Sequence, residues 1–216
     1  MLRFFTITTV AELACLISAL VFLIGDKRTF WKLITLYIFL AVFTEILGKV
    51  LGKIYHNNIP LYNLFILIEL SFITYGFYFF LKKYIDIKLW MVGIYAACLC
   101  IYFGYFLIYG VNSYNAITAS VMSVVFVVYG LMYFYLLLKD ESYIDLKFHP
   151  AFWWVGGAVV FYFGGTLANF FDSLFQSIYF GKYPIRYYIY SLLNVFLYGF
   201  WTYSFICRAR QRKLTH

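Results

Sequence analysis

The chain has 216 residues, of which 65% are hydrophobic and only 12% are charged, and its mean hydropathy is +0.84. A soluble domain of this size could not bury so much apolar surface, so the composition excludes a soluble globular protein and predicts an all-α membrane protein. Lys and Arg outnumber Asp and Glu by 17 to 9, which gives a formal net charge of +8. Because these cations lie in short segments between apolar runs, they indicate charges at a membrane surface and not a nucleic-acid-binding surface.

Seven apolar segments follow one another along the chain, and each is long enough to cross a hydrocarbon core of ~30 Å as a helix. The predicted spans are residues 4–24, 32–52, 61–81, 89–109, 117–138, 152–171 and 185–207. Pro60, Pro150 and Pro184 each stand at the start of a predicted span, where a missing N–H is harmless. The first segment is predicted to be a retained helix and not a cleaved signal peptide. Residues 1–216 are therefore expected to form one transmembrane domain, a bundle of seven helices.

Lys and Arg are distributed unequally between the two sides of this bundle. One side holds twelve of them, and the other holds the remaining five, which are Arg3, Lys49, Lys53, Lys182 and Arg186. Positive residues collect on the cytoplasmic side of membrane proteins. We therefore expect the amino terminus to lie outside and the carboxyl terminus to lie in the cytoplasm.

Three glutamates lie well inside predicted spans, where a charge is costly and therefore indicates a functional site. Glu12, Glu45 and Glu69, together with Asn194, lie roughly 10–15 Å below the outer surface if each residue contributes ~1.5 Å. Helical spacing places Tyr37 on the face of Glu45, and it places Tyr162 on the face of Thr166 and Asn169. The shared depth and shared faces predict a polar pocket between helices in the outer half.

The residues of this predicted pocket fall into two groups. The candidate ligand- or ion-binding residues are Glu12, Glu45, Lys49, Glu69, Asn169 and Asn194. The candidate lining residues are Tyr62, Ser120, Ser123, Thr166, Tyr190 and Tyr198, with Asp172 at the rim. Lys49 follows Glu45 by one helical turn and can pair with it. The pocket could bind a proton, a small cation or a small-molecule ligand; alternatively, the glutamates are structural and only hydrogen-bond neighbouring helices.

The residues that usually carry catalysis or bind metals are not grouped in this sequence. The four cysteines lie inside apolar segments or at a helix end, and His56, His149 and His216 lie apart at the membrane faces or in the tail. They therefore form no zinc site. Ser120 and Ser123 are lone serines on an apolar helix, where core hydroxyls are the usual role. We predict no catalytic residue, no metal site and no cofactor, and an enzyme is disfavoured.

Three short motifs carry a resemblance to a known group of proteins. They are Leu61-Tyr62-Asn63 with Glu69, Pro150-Ala151-Phe152-Trp153 at the start of the sixth span, and Asn194 with Tyr198 in the last. Through them the chain resembles a widespread group of uncharacterised bacterial seven-helix membrane proteins, which implies a location in the bacterial inner membrane but no activity. In size and span number the chain is also similar to membrane accessory proteins encoded beside RNA-targeting CRISPR nucleases, which implies a role in antiviral defence.

Three classes of function are compatible with these observations. The favoured one is a non-enzymatic sensor or effector component, in which the outer pocket binds a ligand and the basic cytoplasmic face contacts a protein partner. The alternatives are a proton- or cation-coupled permease or channel, and an intramembrane lipid hydrolase. The lipid bilayer is the other expected partner, direct nucleic-acid binding is not expected, and the Gly48-x-x-x-Gly52 motif serves packing within the monomer or in a homo-oligomer.

Overall fold

The computed structural model describes residues 6–141, 145–171, 175, 178–181 and 183–214. Seven α-helices make up almost all of this part of the chain. They are α1 (Ile7–Leu23), α2 (Thr29–Ile54), α3 (Ile59–Leu81), α4 (Lys88–Tyr109), α5 (Ala116–Lys139), α6 (Pro150–Phe170) and α7 (Ile185–Leu214). The six helices α2 to α7 are long and apolar enough to cross a membrane, whereas α1 is apolar but has 17 residues. The chain is thus an all-α bundle of membrane type.

Most helix ends lie within three residues of the predicted bounds, and local signals explain them. The side chain of Thr6 accepts a hydrogen bond from the Thr9 amide, and that of Asn115 accepts one from the Thr118 amide, so each satisfies a free donor of the first turn. Gly110 ends α4 with a φ of 73°, a conformation that glycine adopts without strain. Residues 4 and 5 of the first predicted span lie outside the described residues. Only the end of α7 departs from its predicted bound by more than three residues, because α7 continues to Leu214 and not to residue 207.

A short β-hairpin precedes α7. Its two strands, Tyr179–Phe180 and Tyr183–Pro184, have two residues each and pair antiparallel. A 3-10 turn at Leu146–Phe148 precedes α6. We call the end of the bundle where α1 begins the amino-terminal face, and the end where α7 finishes the carboxyl-terminal face. The predicted outer pocket lies toward the amino-terminal face, and α2, α4 and α6 begin at the carboxyl-terminal face.

Six helices form a closed ring in which each packs against the next, in the order α1, α2, α3, α5, α6 and α7. The ring closes because α7 packs against both α6 and α1. Helix α4 lies outside the ring and packs on α3 and α5. Only 17% of its most apolar 18-residue stretch is buried, compared with 39% to 44% in the other helices long enough to span a membrane. The carboxylates of α1, α2 and α3 are therefore carried by consecutive members of the ring.

Buried amides hold the loop between α4 and α5 against α3. Asn63 is 2% exposed, and its side-chain nitrogen donates to the carbonyl oxygens of Val111 and Ser113 at 3.0 and 2.9 Å. Its side-chain oxygen accepts from the backbone N–H of Asn115 at 3.0 Å. The hydroxyl of Tyr102 on α4 donates to the Asn63 carbonyl oxygen at 3.0 Å. Asn63 thus satisfies loop groups that would otherwise be buried without partners.

Aromatic side chains fill the ring in the half near the carboxyl-terminal face. Trp154 is fully buried and stacks on Trp201 with ring centroids 5.6 Å apart and an interplanar angle of 4°. Phe30 and Phe77 meet the Trp154 ring edge-on, each at 5.5 Å. A Cβ on Gly76 would lie 2.5 Å from the Trp154 ring, so glycine is needed for this close approach. We call this cluster the aromatic plug; it comprises Phe30, Phe77, Phe80, Trp154, Trp201 and Phe205.

A buried ion pair joins the first and last helices at the carboxyl-terminal face. The Asp26 side chain is fully buried, and its carboxylate accepts from Arg208 at 2.7 and 3.2 Å and from the Arg28 amide at 2.8 Å. Arg212 lies 3.6 Å from the same carboxylate and also donates to the Phe22 carbonyl oxygen. Burial alone would raise the pKa of Asp26, but the hydrogen bonds from Arg208 and Arg28 and the two guanidinium charges outweigh it, so the pKa lies below its ordinary value of 3.8. This pairing explains why α7 continues past its apolar segment.

Replacing Asp26 by Asn should destabilise the bundle by about 2–3 kcal/mol, because Arg208 would remain largely buried without its counter-ion. The difference from the wild type should be present at neutral pH and should shrink as pH falls through the lowered pKa, since the wild-type carboxylate is then protonated as well. Unfolding titrations in detergent across this pH range measure both effects. Asp86→Asn, at an exposed carboxylate of the same face, is the matched control. Equal stability losses in the two variants would contradict the assignment.

Candidate functional site

The first glutamate of the predicted pocket faces the ring interior. Glu12 on α1 is 5% exposed, and its Oε1 accepts a hydrogen bond from the hydroxyl of Tyr198 on α7 at 3.2 Å. Its Oε2 is buried and has no hydrogen-bond partner among the described residues. Because a buried oxygen without a donor is costly, this side of the carboxyl group is where a proton or a cation would be bound.

The second glutamate belongs to a lysine-centred group at the amino-terminal face. The Nζ atom of Lys49 lies 2.9 Å from Oε1 of Glu45, one turn away on α2, as the sequence predicted. Lys49 also donates to the hydroxyl oxygens of Thr9 at 2.6 Å and Thr6 at 3.3 Å, at the start of α1. Glu12 interacts electrostatically with both Glu45 and Lys49. The lysine thus links α1 to α2 and supplies positive charge beside two carboxyl groups.

Tyr62 covers this group from α3. Its hydroxyl lies 3.5 Å from Oε2 of Glu45, and its ring packs directly on Gly48, where a Cβ would lie 2.7 Å from the hydroxyl oxygen. A Cβ on Gly52 would lie 3.2 Å from the side-chain nitrogen of Asn58. Both glycines of the Gly48-x-x-x-Gly52 motif therefore face neighbours within the same chain.

The third glutamate is held by a tyrosine from a helix that is not its neighbour in the ring. Oε1 of Glu69 on α3 accepts a hydrogen bond from the hydroxyl of Tyr162 on α6 at 2.7 Å. Tyr37 on α2 is 4% exposed and interacts electrostatically with both Glu69 and Glu12. Tyr162 interacts with Tyr37 and with Tyr198. We call Glu12, Glu69, Tyr37, Tyr162 and Tyr198 the carboxyl–tyrosine cluster, since the three tyrosines lie between the two glutamates.

Asn169 and Tyr190 form a separate group nearer the amino-terminal face. Oδ1 of Asn169 accepts from the Tyr190 hydroxyl at 2.7 Å and from Arg186 at 2.9 Å. Tyr114, in the loop before α5, interacts electrostatically with Glu69, Tyr190 and Arg186. This group therefore lies near the cluster on its Glu69 side, and Arg186 adds a cation that the predicted pocket did not include.

The other predicted lining residues are occupied within their own helices. Each of three side chains bonds a carbonyl oxygen four residues earlier: Asn194 to Tyr190 at 2.8 Å, Thr166 to Tyr162 at 2.8 Å and Ser123 to Ala119 at 2.7 Å. Ser120 is half-buried and contributes no hydrogen bond to the cluster within the described residues. Asp172 lies outside the described residues, as do Arg3, Lys182 and His216. The structure thus joins each of the three glutamates to a tyrosine and joins Lys49 to Glu45, and it leaves Asn194, Thr166 and the serines apart.

The chemistry of this site is that of carboxyl groups with hydroxyl donors and a single lysine. Within the described ranges, no three His, Cys, Asp or Glu side chains converge in a way that could hold a metal ion. Comparisons with known protein families, with curated proteins and with solved structures found no match. Any function must therefore be inferred from the geometry itself.

Replacing Tyr162 by Phe should cost about 1–2 kcal/mol of stability, because Glu69 would lose the hydroxyl that holds it. Detergent unfolding of the purified protein measures this loss. Tyr135→Phe removes a hydroxyl from a tyrosine that is 56% exposed on α5, and it should change stability by less than about 0.5 kcal/mol. The importance of the contact would be refuted by a Tyr162→Phe variant as stable as Tyr135→Phe.

Proposed function

We propose that this protein is a non-enzymatic sensor or effector component of a membrane. In this proposal the carboxyl–tyrosine cluster binds a proton, a small cation or a small cationic ligand, and the basic carboxyl-terminal face acts through a partner. The observation that carries it is the buried Oε2 of Glu12, which has no donor among the described residues and lies within the electrostatic influence of the Glu45 carboxylate. A positively charged or protic ligand would supply the interaction that this oxygen lacks.

The aromatic plug favours a signalling role over a transport role. Trp154 and Trp201 are fully buried and lie directly between the cluster and the carboxyl-terminal face. The two groups are in contact, since the ring centroids of Tyr37 and Tyr198 lie 6.0 and 6.1 Å from that of Trp201. A permeating ion would have to pass this dehydrated layer, which offers few polar groups to replace its water. A permease using Glu69 as its coupling site is the alternative that the experiment below must distinguish.

The same packing provides a route by which ligand binding could reach the other face. Tyr198 contacts Trp201, Trp201 stacks on Trp154, and the Trp154 ring lies 5.3 Å from Phe80 at the carboxyl-terminal end of α3. A shift of Tyr198 away from Glu12 would therefore move directly packed rings. Contiguity alone does not establish coupling, so the proposal needs a measured response at the far end.

We further propose the bacterial inner membrane as the location, with the carboxyl-terminal face in the cytoplasm. The support is the excess of Lys and Arg at that face and the resemblance to bacterial seven-helix membrane proteins. In intact spheroplasts, protease added outside should leave a tag at the carboxyl terminus undigested, and opening the cells should expose it. Digestion of the tag in intact spheroplasts would contradict this orientation.

An accessory role in antiviral defence is one form of the effector proposal, and unchanged phage sensitivity on deletion of the gene would count against it.

The sensor proposal predicts a response at one face to a ligand added at the other. An environment-sensitive fluorophore can be attached to Leu214→Cys, at a position 78% exposed at the end of α7, with Cys100→Ser to remove the exposed native thiol. Tetramethylammonium or acidification on the amino-terminal side should change the emission of the reconstituted protein. Glu12→Gln and Glu69→Gln should each shift the midpoint of this response by about fivefold or more. Glu141→Gln, which neutralises an exposed carboxylate in the loop after α5, should leave it unchanged.

Flux measured in the same proteoliposomes separates the two functions. A pH-sensitive dye inside should report no proton uptake beyond that of protein-free liposomes, for the wild type and for Glu69→Gln alike. Wild-type uptake that disappears in Glu69→Gln would favour the permease and overturn the sensor. Absence of both flux and emission change with every cationic probe would favour purely structural glutamates.

A further inference from the structure

A cavity of about 520 Å³ opens at the carboxyl-terminal face, at the opposite end of the bundle from the glutamates. It lies where the ends of α2, α3, α5, α6 and α7 meet. Its walls include Arg28, Lys82, Lys83, Tyr133, His149 and Arg208. A second cavity of about 420 Å³ shares Lys83, His149 and Gln211 with it, so the two are neighbours. No part of the carboxyl–tyrosine cluster lines either cavity.

The lining of the larger cavity is positively charged. Arg28, Lys82, Lys83 and Arg208 are cationic side chains, and none of the described residues that line the cavity is acidic. Two carboxylates lie close to these cations. Asp26 pairs with Arg208, and Asp140 lies 3.8 Å from Lys83. These acids balance only part of the positive charge. A cavity with apolar walls and a surplus of one sign concentrates the field and attracts a ligand of the opposite sign.

Two helices begin at this cavity and add to its positive potential. Arg28 is the N-cap residue of α2 and makes no side-chain hydrogen bond to the first turn, so backbone N–H groups of that turn have no side-chain cap. Pro150 and Ala151, the first residues of α6, also line the wall. The first turn of a helix carries a partial positive charge and exposed donors, which suit a phosphate group. Here these donors coincide with a cavity and with four cations.

The donors around the cavity are already held in position. Arg208 is fixed by Asp26 at 2.7 Å, and its guanidinium group lies 5.8 Å from the Trp31 ring. Nδ1 of His149 accepts the Phe152 N–H at 3.3 Å and lies 3.4 Å from the Tyr133 hydroxyl. Burial, helped by the charge of Lys83, lowers the pKa of His149, so its imidazole is neutral with the proton on Nε2. Preorganised donors reduce the ordering cost of binding.

We propose that this cavity is a binding site for a phosphate-bearing anion, either the headgroup of an anionic phospholipid or a free phosphate compound. The positive lining selects the anion, the two helix starts add partial positive charge, and the aromatic wall accommodates an apolar portion of the ligand. The volume exceeds that of inorganic phosphate, which favours a larger phosphate ester. This site is distinct from the carboxyl–tyrosine cluster and does not rest on the function proposed for it.

The experiment compares two variants that lose the same charge from the same face. Lys82→Gln/Lys83→Gln removes two exposed cations from the cavity lining, and Lys27→Gln/Lys139→Gln removes two cations outside it. Full-length protein in neutral detergent is titrated calorimetrically with dihexanoyl phosphatidylglycerol, dihexanoyl phosphatidylcholine and inorganic phosphate. Loss of two cationic contacts should weaken anion binding about tenfold or more. The control pair should change it by less than about threefold, because exposed charges farther away are screened.

Each outcome of the titrations bears on the proposal. Cavity-dependent binding of phosphatidylglycerol without binding of inorganic phosphate supports the lipid headgroup, and cavity-dependent binding of inorganic phosphate supports a free phosphate compound. Arg28→Gln should weaken binding as well, since it removes a different lining cation. Equal losses in the two double variants would reduce the effect to general surface charge and overturn the site. No binding of either anion above the phosphatidylcholine background would overturn it too.

Discussion

The contact between the first and last helices closes the ring, and it is made by polar pairs at two levels. In the membrane interior Glu12 of α1 meets Tyr198 of α7, and at the carboxyl-terminal face Asp26 meets Arg208. A lipid environment offers no water to such groups, so each must find its partner across the helix interface. The requirement fixes both the rotation of α1 against α7 and their register. Because α1 is the shortest of the helices, these pairs, together with its packing, hold it in the ring.

The rotation of the ring helices also explains the division of the interior into two halves. The orientation of α2 about its own axis directs Tyr37 into the ring. The same orientation directs Phe30 and Trp31 into the ring near the start of α2. The result is an acidic, hydroxyl-rich half toward one face and a dry aromatic half toward the other. Hydroxyl groups can lie beside a carboxyl group at little cost, whereas in the aromatic half the indole N–H of Trp201 donates to the Trp154 carbonyl oxygen. Each half therefore places different chemistry within reach of its own face.

Hydropathy and proline positions were sufficient to predict the helices, whereas the common depth of the three glutamates stays a prediction. The partners could not be predicted in this way, because they depend on which helices are neighbours. Asn194 lies on the predicted polar stripe but bonds its own helix, a choice open to any Asn with a carbonyl oxygen one turn back. Thr9 and Asp26 were missed, since a threonine near a helix start and an aspartate in a loop carry no signal by themselves. The composition of α4 matches that of its neighbours, so it does not indicate that α4 lies outside the ring.

If a ligand binds at Glu12, the pairs between α1 and α7 would connect that event with the opposite face. Glu12 and Asp26 stand on or just beyond the same short helix, and Tyr198 and Arg208 stand on the same long one. A ligand that replaced Tyr198 at Glu12 would free one end of this interface, while the other end would stay fixed by Asp26. Close-packed interfaces do not deform gradually, so a rotation of α7 about its charged end is one rearrangement that would accommodate such a change. Arg208 lines the basic cavity at that end, and an anion bound there would oppose or favour the same rotation. By linkage, the two sites would then influence each other's affinity equally, without any ion crossing the aromatic plug.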